Sequence, residues 1–144
     1  MILQAMLYYG FPFHQDDAPI DSIVEAWRKE KAPQRPKREE LDPAKAFDIG
    51  IEYSNEFTKW AATTENVEIK WVGVGNNSNK LIVYVPCLTY YASEGNSSKL
   101  YLDIANSHTV QLKLAQADFY IKEFCEKAKL PFRQPGWHLT ARYC

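Results

Sequence analysis

The spacing of the hydrophobic residues changes near residue 65, and this change constrains the fold more than any other feature. Before it, apolar residues recur at steps of three and four, the spacing of one helix face: Ala46, Ile49, Tyr53, Phe57 and Trp60. After it, apolar and charged residues alternate from Val67 to Trp71, the spacing of a half-buried strand. A helical first part followed by a strand-rich second part predicts an α+β domain.

Three helices are predicted. The first spans 21–31 and ends before two prolines, which lack the donor N–H that a helix needs. The second begins at Asp42-Pro43, a typical N-cap followed by proline at the first helical position. Residues 47–53 also alternate, so a strand is the open alternative there, although Asp42-Pro43 favours the helix. The third helix covers 116–129, with lysines in its last turn.

The strands are predicted to form a meandering antiparallel sheet of about five strands plus an N-terminal strand, with the helices packed mainly on one face. The predicted strands are 2–9, 67–71, 81–85, 100–104, 110–114 and 137–143. The N-terminal strand is expected to stop at Gly10-Phe11-Pro12, and Pro86 is expected to mark a bulge or the sheet edge. The strands 100–104 and 110–114 alternate on both sides of Asn106-Ser107 and give the clearest predicted hairpin.

Size and charge limit the function classes. With 144 residues the chain is predicted to form a single domain, 1–144, in which 28–45 is a charged, proline-containing connector. Seventeen basic and eighteen acidic side chains leave a net charge of −1, so no whole-molecule field attracts DNA or anionic membranes. Residues 1–9 are apolar but too few to span a bilayer, and they lack signal-peptide features. We expect a cytoplasmic protein without membrane contact.

One group of residues fits metal-dependent phosphodiester cleavage. Glu68 and Lys70 lie two apart on a predicted strand, and Asp48 lies twenty residues upstream. The pattern resembles the D…ExK core of the restriction-endonuclease-like nucleases. The resemblance implies that Asp48 and Glu68 hold Mg²⁺ while Lys70 orients water or stabilises charge. This hypothesis requires the three side chains to converge in one cleft, and charged residues on the wet face of a strand are its structural alternative.

A second pattern is His138-Leu139-Thr140, which places an imidazole and a hydroxyl on one face of the last predicted strand. It is similar to one half-site of the 2H phosphoesterases, which use two His-x-Thr/Ser tripeptides across a cleft. The resemblance implies that His138 acts as general acid or base and that Thr140 contacts phosphate. The sequence holds no second copy of the tripeptide. No cysteine and histidine spacing resembles a zinc site. Apart from the Mg²⁺ that the nuclease alternative requires, neither a metal nor a cofactor is predicted.

Aromatic residues make up 14% of the chain, and many lie on or beside predicted strands close to basic residues. Such residues stack on bases or supply the anchors of protein interfaces. The candidate binding residues are Tyr90, Tyr91, Tyr101, Trp137 and Arg133, together with Arg35, Lys37 and Arg38 of the connector. Near-neutral charge favours another protein as the partner. The sequence therefore predicts a non-catalytic inhibitor or adaptor domain, with a single-stranded nucleic-acid-binding protein and a metal-dependent nuclease as alternatives.

Overall fold

A computed structural model describes residues 3–14, 20–72, 80–93 and 107–143. These residues form four strands, three α-helices and one short 3₁₀ helix. The elements are β1 (Leu3–His14), α1 (Ile20–Lys31), the 3₁₀ helix (Arg38–Glu40), α2 (Pro43–Thr64), β2 (Glu68–Val72), β3 (Lys80–Ser93), α3 (Ser107–Ala128) and β4 (Gly136–Tyr143). The fold is α+β, as the sequence predicts.

The four strands form one antiparallel sheet in the order β2-β3-β1-β4. This order corrects the predicted meander, because the first strand of the chain lies between β3 and β4. Strand β1 pairs with β4 from Leu3 opposite Tyr143 to Gly10 opposite Gly136. Among the residues that the structure describes, β2 is the edge strand on one side of the sheet and β4 the edge strand on the other.

Both faces of the central strands bury side chains. The larger cluster joins the strand residues Phe11 and Val83 to side chains from every α-helix, such as Ile23, Phe57 and Phe124. A second cluster lies on the opposite face of β1 and β3 and contains Met6, Tyr8, Ile82 and Tyr84. We call the side of Phe11 and Val83 the core face. The packing of the helices on mainly one face stays a prediction.

Strand β3 carries extra residues where it passes Gly10. Two steps along β1, from Gly10 to Tyr8, correspond to five steps along β3, from Tyr84 to Thr89. This register shift contains Pro86, where the sequence predicts a bulge or the sheet edge, and β3 lies inside the sheet. The two strands approach closely here, because a Cβ atom on Gly10 would lie 1.9 Å from the carbonyl oxygen of Val83. Only glycine permits that approach.

Helix α2 begins where the sequence predicts. Asp42 is its N-cap, and the Asp42 carboxylate accepts a hydrogen bond from the backbone N–H of Lys45 at 3.0 Å. The helix predicted for 47–53 is therefore confirmed, and the alternative of a strand there is wrong. Gly50 lies mid-helix, where a Cβ atom would come within 2.7 Å of the Arg38 guanidinium. Glycine at this position costs the helix about 1 kcal/mol relative to alanine.

Two other predictions are corrected. Residues 110–114 belong to α3, which begins at Ser107, and so the predicted hairpin is not formed. Strand β1 continues through Gly10-Phe11-Pro12 to His14 instead of stopping there. Residues 100–104, the other half of the hairpin, lie outside the described ranges, and a fifth strand stays a prediction. Among the helices that the structure describes, none is both long and apolar enough to cross a membrane.

Candidate functional site

Trp137 is an exposed aromatic residue on β4, the last strand of the sheet. Its side chain is 42% exposed, yet its ring packs on two tyrosines of the neighbouring strands. The Tyr9 ring meets it edge to face at a centroid distance of 5.4 Å, and the Tyr90 ring stacks on it at 6.2 Å. Both tyrosines are buried. Trp137 is therefore held in place while one side of its ring stays open to a partner.

A hydrogen bond to helix α3 fixes the Tyr9 ring. The Tyr9 hydroxyl donates to Oδ1 of Asp118 at 2.6 Å, across 109 residues of sequence. Burial, followed by this hydrogen bond and the negative charge of Asp118, raises the pKa of Tyr9 to about 12. The phenol therefore remains a neutral donor at physiological pH. Tyr9 forms a rigid base for Trp137.

Leu139 extends the exposed apolar surface along β4. It is 72% exposed, and it lies opposite the half-buried Leu7 of β1 on the face that carries Trp137. Between Gly136 and Ala141 the strand has no Lys, Arg, Asp, Glu or Pro. Charged residues and prolines are what proteins commonly use to protect an edge strand from pairing. Within the described part of the chain, β4 pairs with β1 alone. We call its outer side the β4 edge.

The opposite side of the sheet has a polar cleft between α2 and β2, with a volume of about 450 Å³. Glu68, Lys70, Tyr84 and Tyr91 line it from the strands, and Asn55, Thr58 and Lys59 line it from α2. The Tyr84 hydroxyl donates to Oε2 of Glu68 at 2.5 Å, and the Lys70 ammonium lies 5.9 Å from the centroid of the Tyr91 ring. Burial, followed by the hydrogen bond to Glu68, raises the pKa of Tyr84.

The structure brings Glu68 and Lys70 together in this cleft but leaves Asp48 out of it. Asp48 is exposed on α2, and the lining of the cleft starts at Asn55. Asp48 and Asn55 are separated by roughly 10 Å along the helix axis, given a rise of about 1.5 Å per residue. In the ranges that the structure describes, no group of three His, Cys, Asp or Glu side chains is placed to hold a metal ion. Glu68 instead accepts a hydrogen bond from the Tyr84 hydroxyl.

His138 and Thr140 share one face of β4, as the sequence predicts, and this face is opposite to that of Trp137. They pair with Tyr8 and Met6 of β1. The imidazole of His138 stacks on the Tyr8 ring, with centroids 5.3 Å apart and an interplanar angle of 22°. Tyr8 itself is buried, so this contact packs the histidine onto the second cluster.

The arginines of the connector make contacts within the protein. Arg28, which is buried, donates to Glu25 and to the carbonyl oxygens of Ala32 and Arg35. Arg35 forms ion pairs with Glu52 and Glu56 of α2, and its guanidinium lies 4.5 Å from the centroid of the Tyr53 ring.

Arg38 donates to the carbonyl oxygen of Ala46 at 3.1 Å, and it lies 3.6 Å from the Asp21 carboxylate. Lys37, next to it, is exposed. The connector is therefore fastened to α1 and α2 by its guanidinium groups. Of the connector residues predicted to bind a partner, Lys37 alone lacks such a contact among those that the structure gives for the described residues.

The remaining candidates divide between surface and interior. Tyr91 is 44% exposed on the face opposite Trp137, whereas Tyr90 is buried beneath Trp137. Arg133 is exposed in the segment that precedes β4, and Tyr101 lies outside the described residues.

Cys125 is buried in the core, and burial raises the pKa of its thiol to about 12. This thiol therefore stays protonated and unreactive near neutral pH.

Sequence reasoning missed Leu139, Tyr9 and Asp118. Leu139 stood out only as the middle of the His138-Leu139-Thr140 tripeptide, and its exposure follows from the position of β4 at an edge. The Tyr9–Asp118 hydrogen bond joins two distant parts of the chain, and no local pattern signals it. No family model matches this chain, and neither a curated protein nor a solved structure shows significant similarity to it.

Proposed function

We propose that this chain is a non-catalytic protein-binding domain, of the inhibitor or adaptor type, which takes up an extended strand along the β4 edge. The observation that carries the proposal is an edge strand that has no Lys, Arg, Asp or Glu between Gly136 and Ala141 and presents the exposed Trp137 on a fixed aromatic base. Strand addition to a sheet edge draws its affinity from main-chain hydrogen bonds and its specificity from alternate side chains. Trp137 and Leu139 supply those side-chain contacts here.

The aromatic and basic residues support a protein partner over nucleic acid. Stacking of bases requires open aromatic faces, but Tyr84 and Tyr90 are buried. Tracking of phosphates requires available cations, but Arg35 and Arg38 are engaged with Glu52, Glu56 and Asp21. Trp and Tyr at a fixed, half-open position are typical of the hot spots of protein interfaces.

Site-specific photo-crosslinking tests the proposed surface. A photoreactive residue at Leu139 should capture a protein strand, whereas the same residue at Leu112 should not. Leu112 is a matched control because it is also strongly exposed, at 63% against 72%, but lies on helix α3. Equal capture at both positions, or no capture at Leu139, would contradict the proposal.

Two alanine variants then measure the anchor. Trp137→Ala should weaken binding of the captured partner by roughly 30-fold, the equivalent of about 2 kcal/mol at a hot spot. Tyr91→Ala is the matched control, since its ring is 44% exposed against 42% for Trp137 and lies on the other face of the sheet. It should leave the affinity within about threefold, because a residue outside the contact contributes little. Isothermal titration calorimetry provides both values.

A further inference from the structure

The β4 edge is complementary to itself. Building on the proposed function, which supplies the binding edge, we infer that its partner strand is β4 of a second copy of this chain. The two strands pair antiparallel about a two-fold axis that passes through Leu139. Homodimers with this symmetry use the same patch on both subunits, so each contact occurs twice. The proposal therefore depends on what each residue of β4 meets when the strand is reversed against itself.

The pleat of the strand restricts the registers. Opposite residues in an antiparallel pair point to the same face, and successive residues along a strand alternate between faces. Trp137 and Leu139 lie on the core face, and His138 and Thr140 lie on the other. A two-fold axis through a residue preserves this division, so the candidate centres are His138, Leu139 and Thr140.

The register centred on Leu139 gives compatible neighbours at every position. Leu139 lies opposite its own copy, and Trp137 lies opposite an alanine, Ala141, so a large residue meets a small one. His138 lies opposite Thr140, where a ring nitrogen and a hydroxyl can form a hydrogen bond. Cross-strand pairs of these kinds stabilise a sheet.

The two neighbouring registers are less favourable. Centring on His138 places two identical imidazoles against each other, without the hydroxyl partner that Thr140 supplies in the register centred on Leu139. Centring on Thr140 aligns Trp137 with the bulky Tyr143. In the register centred on Leu139, Trp137 meets the small Ala141 instead, and Arg142 lies opposite Gly136.

The resulting dimer is one continuous antiparallel sheet in which β4 and its copy lie at the centre. The pairing satisfies the backbone groups that β4 leaves open on its outer side among the described residues, and each such hydrogen bond adds to the stability of the dimer. Trp137 and Leu139 of both copies then lie side by side on the core face. β2 is a poorer edge for this purpose, because it has five residues and α2 borders the cleft beside it.

Sedimentation equilibrium of the full chain tests the association. We expect a monomer–dimer equilibrium that Leu139→Lys weakens by about tenfold or more, because two lysines would then lie directly opposite each other at the axis. Leu112→Lys is the matched control: it adds the same charge at another exposed leucine, and it should leave the dimer constant unchanged. Circular dichroism of both variants checks that they fold.

Crosslinking tests the register. Leu139→Cys, in a background with Cys87→Ser and Cys144→Ser, leaves the buried Cys125 as the remaining native thiol. Directly opposite Cβ atoms lie about 4.5–5.5 Å apart, so a short bifunctional thiol reagent should join two copies at residue 139. Leu112→Cys in the same background should give no dimer band.

The outcomes separate the two proposals. A dimer that Leu139→Lys dissociates, with crosslinking at Leu139 but not at Leu112, supports the second copy as the occupant. A chain that remains monomeric up to millimolar concentration, or a dimer that is indifferent to Leu139→Lys, overturns this inference. In that case, photo-capture of a different protein at Leu139 would still support the proposed function. Absence of any capture there would overturn both.

Discussion

The two edge strands of the sheet differ in how well they are protected against pairing with a further strand. β2 has five residues, carries Glu68 and Lys70, and borders a cleft that α2 lines on its other side. β4 has eight residues, no charge between Gly136 and Ala141, and an exposed tryptophan and leucine. A short charged edge resists the addition of further strands, whereas a longer run without Lys, Arg, Asp or Glu, such as that from Gly136 to Ala141, permits it. The difference supports the proposal that a strand is added on the β4 side.

The largest effect on stability is expected from Glu68 on the β2 side. Glu68→Ala should lower the free energy of unfolding by about 1–3 kcal/mol, because the buried Tyr84 hydroxyl loses its acceptor. Lys70→Ala on the same strand should change it by less than about 0.5 kcal/mol, the usual range for a surface substitution. Urea denaturation at pH 7 measures both. If the two variants are equally stable, Glu68 has no structural role, and the contrast between the edges rests on charge alone.

A smaller effect is expected from Tyr9, which supports the β4 side. Tyr9→Phe should cost about 1 kcal/mol near pH 8, because the hydrogen bond to Asp118 is lost. The pKa of Tyr9 is raised from its ordinary value of 10 to about 12 in the folded protein. The contribution of its neutral phenol is therefore complete below pH 10 and disappears as the pH rises through 12.

Urea denaturation of the wild type and of Tyr9→Phe, repeated between pH 8 and pH 12, would show the stability difference between them decreasing as the solution becomes alkaline. A constant difference over that range would show that the phenol of Tyr9 does not titrate with the raised pKa.

The smallest effect on stability is expected from removing the charge that protects β2. Lys70→Thr keeps a residue that suits a strand, so the free energy of unfolding should change by less than about 0.5 kcal/mol. Aggregation during refolding should nevertheless increase, because charged residues act as gatekeepers on exposed strands. Lys122→Thr on α3 removes the same charge from an exposed helical position and serves as the control. Equal light scattering from both variants would contradict a protective role of Lys70.

Much of the secondary structure was predictable from local chemistry. Asp42-Pro43 correctly decided between helix and strand for the residues that follow, because an N-cap and a proline at the first position both favour a helix start. The failure at 110–114 has an equally local cause. Val110, Leu112 and Leu114 alternate with two polar residues, as in a strand. Val110 and Leu114 also continue at helical spacing to Ala117 and Ile121, so this short stretch satisfies both periods.

The order of the strands, and with it the site, was not predictable in this way. Trp137 was identified as a binding residue because tryptophan on a strand is a frequent anchor. Its partners were not, because Tyr9 reaches it through the insertion of β1 between β3 and β4. That insertion also makes β4 an edge and exposes Leu139. Pairings between distant parts of a chain leave no periodic trace in the sequence.

The pairing of β1 with β4 has a consequence for folding during synthesis of the protein. Leu3 lies opposite Tyr143, so one side of β1 has no partner until nearly the whole of this stretch has left the ribosome. Of the four described strands, β1 is thus synthesised first and is among the last to be completed. Contacts of such long range slow folding, and an unpaired strand is prone to aggregate while it waits. During synthesis, β1 is therefore the strand for which a chaperone that prevents aggregation would matter most.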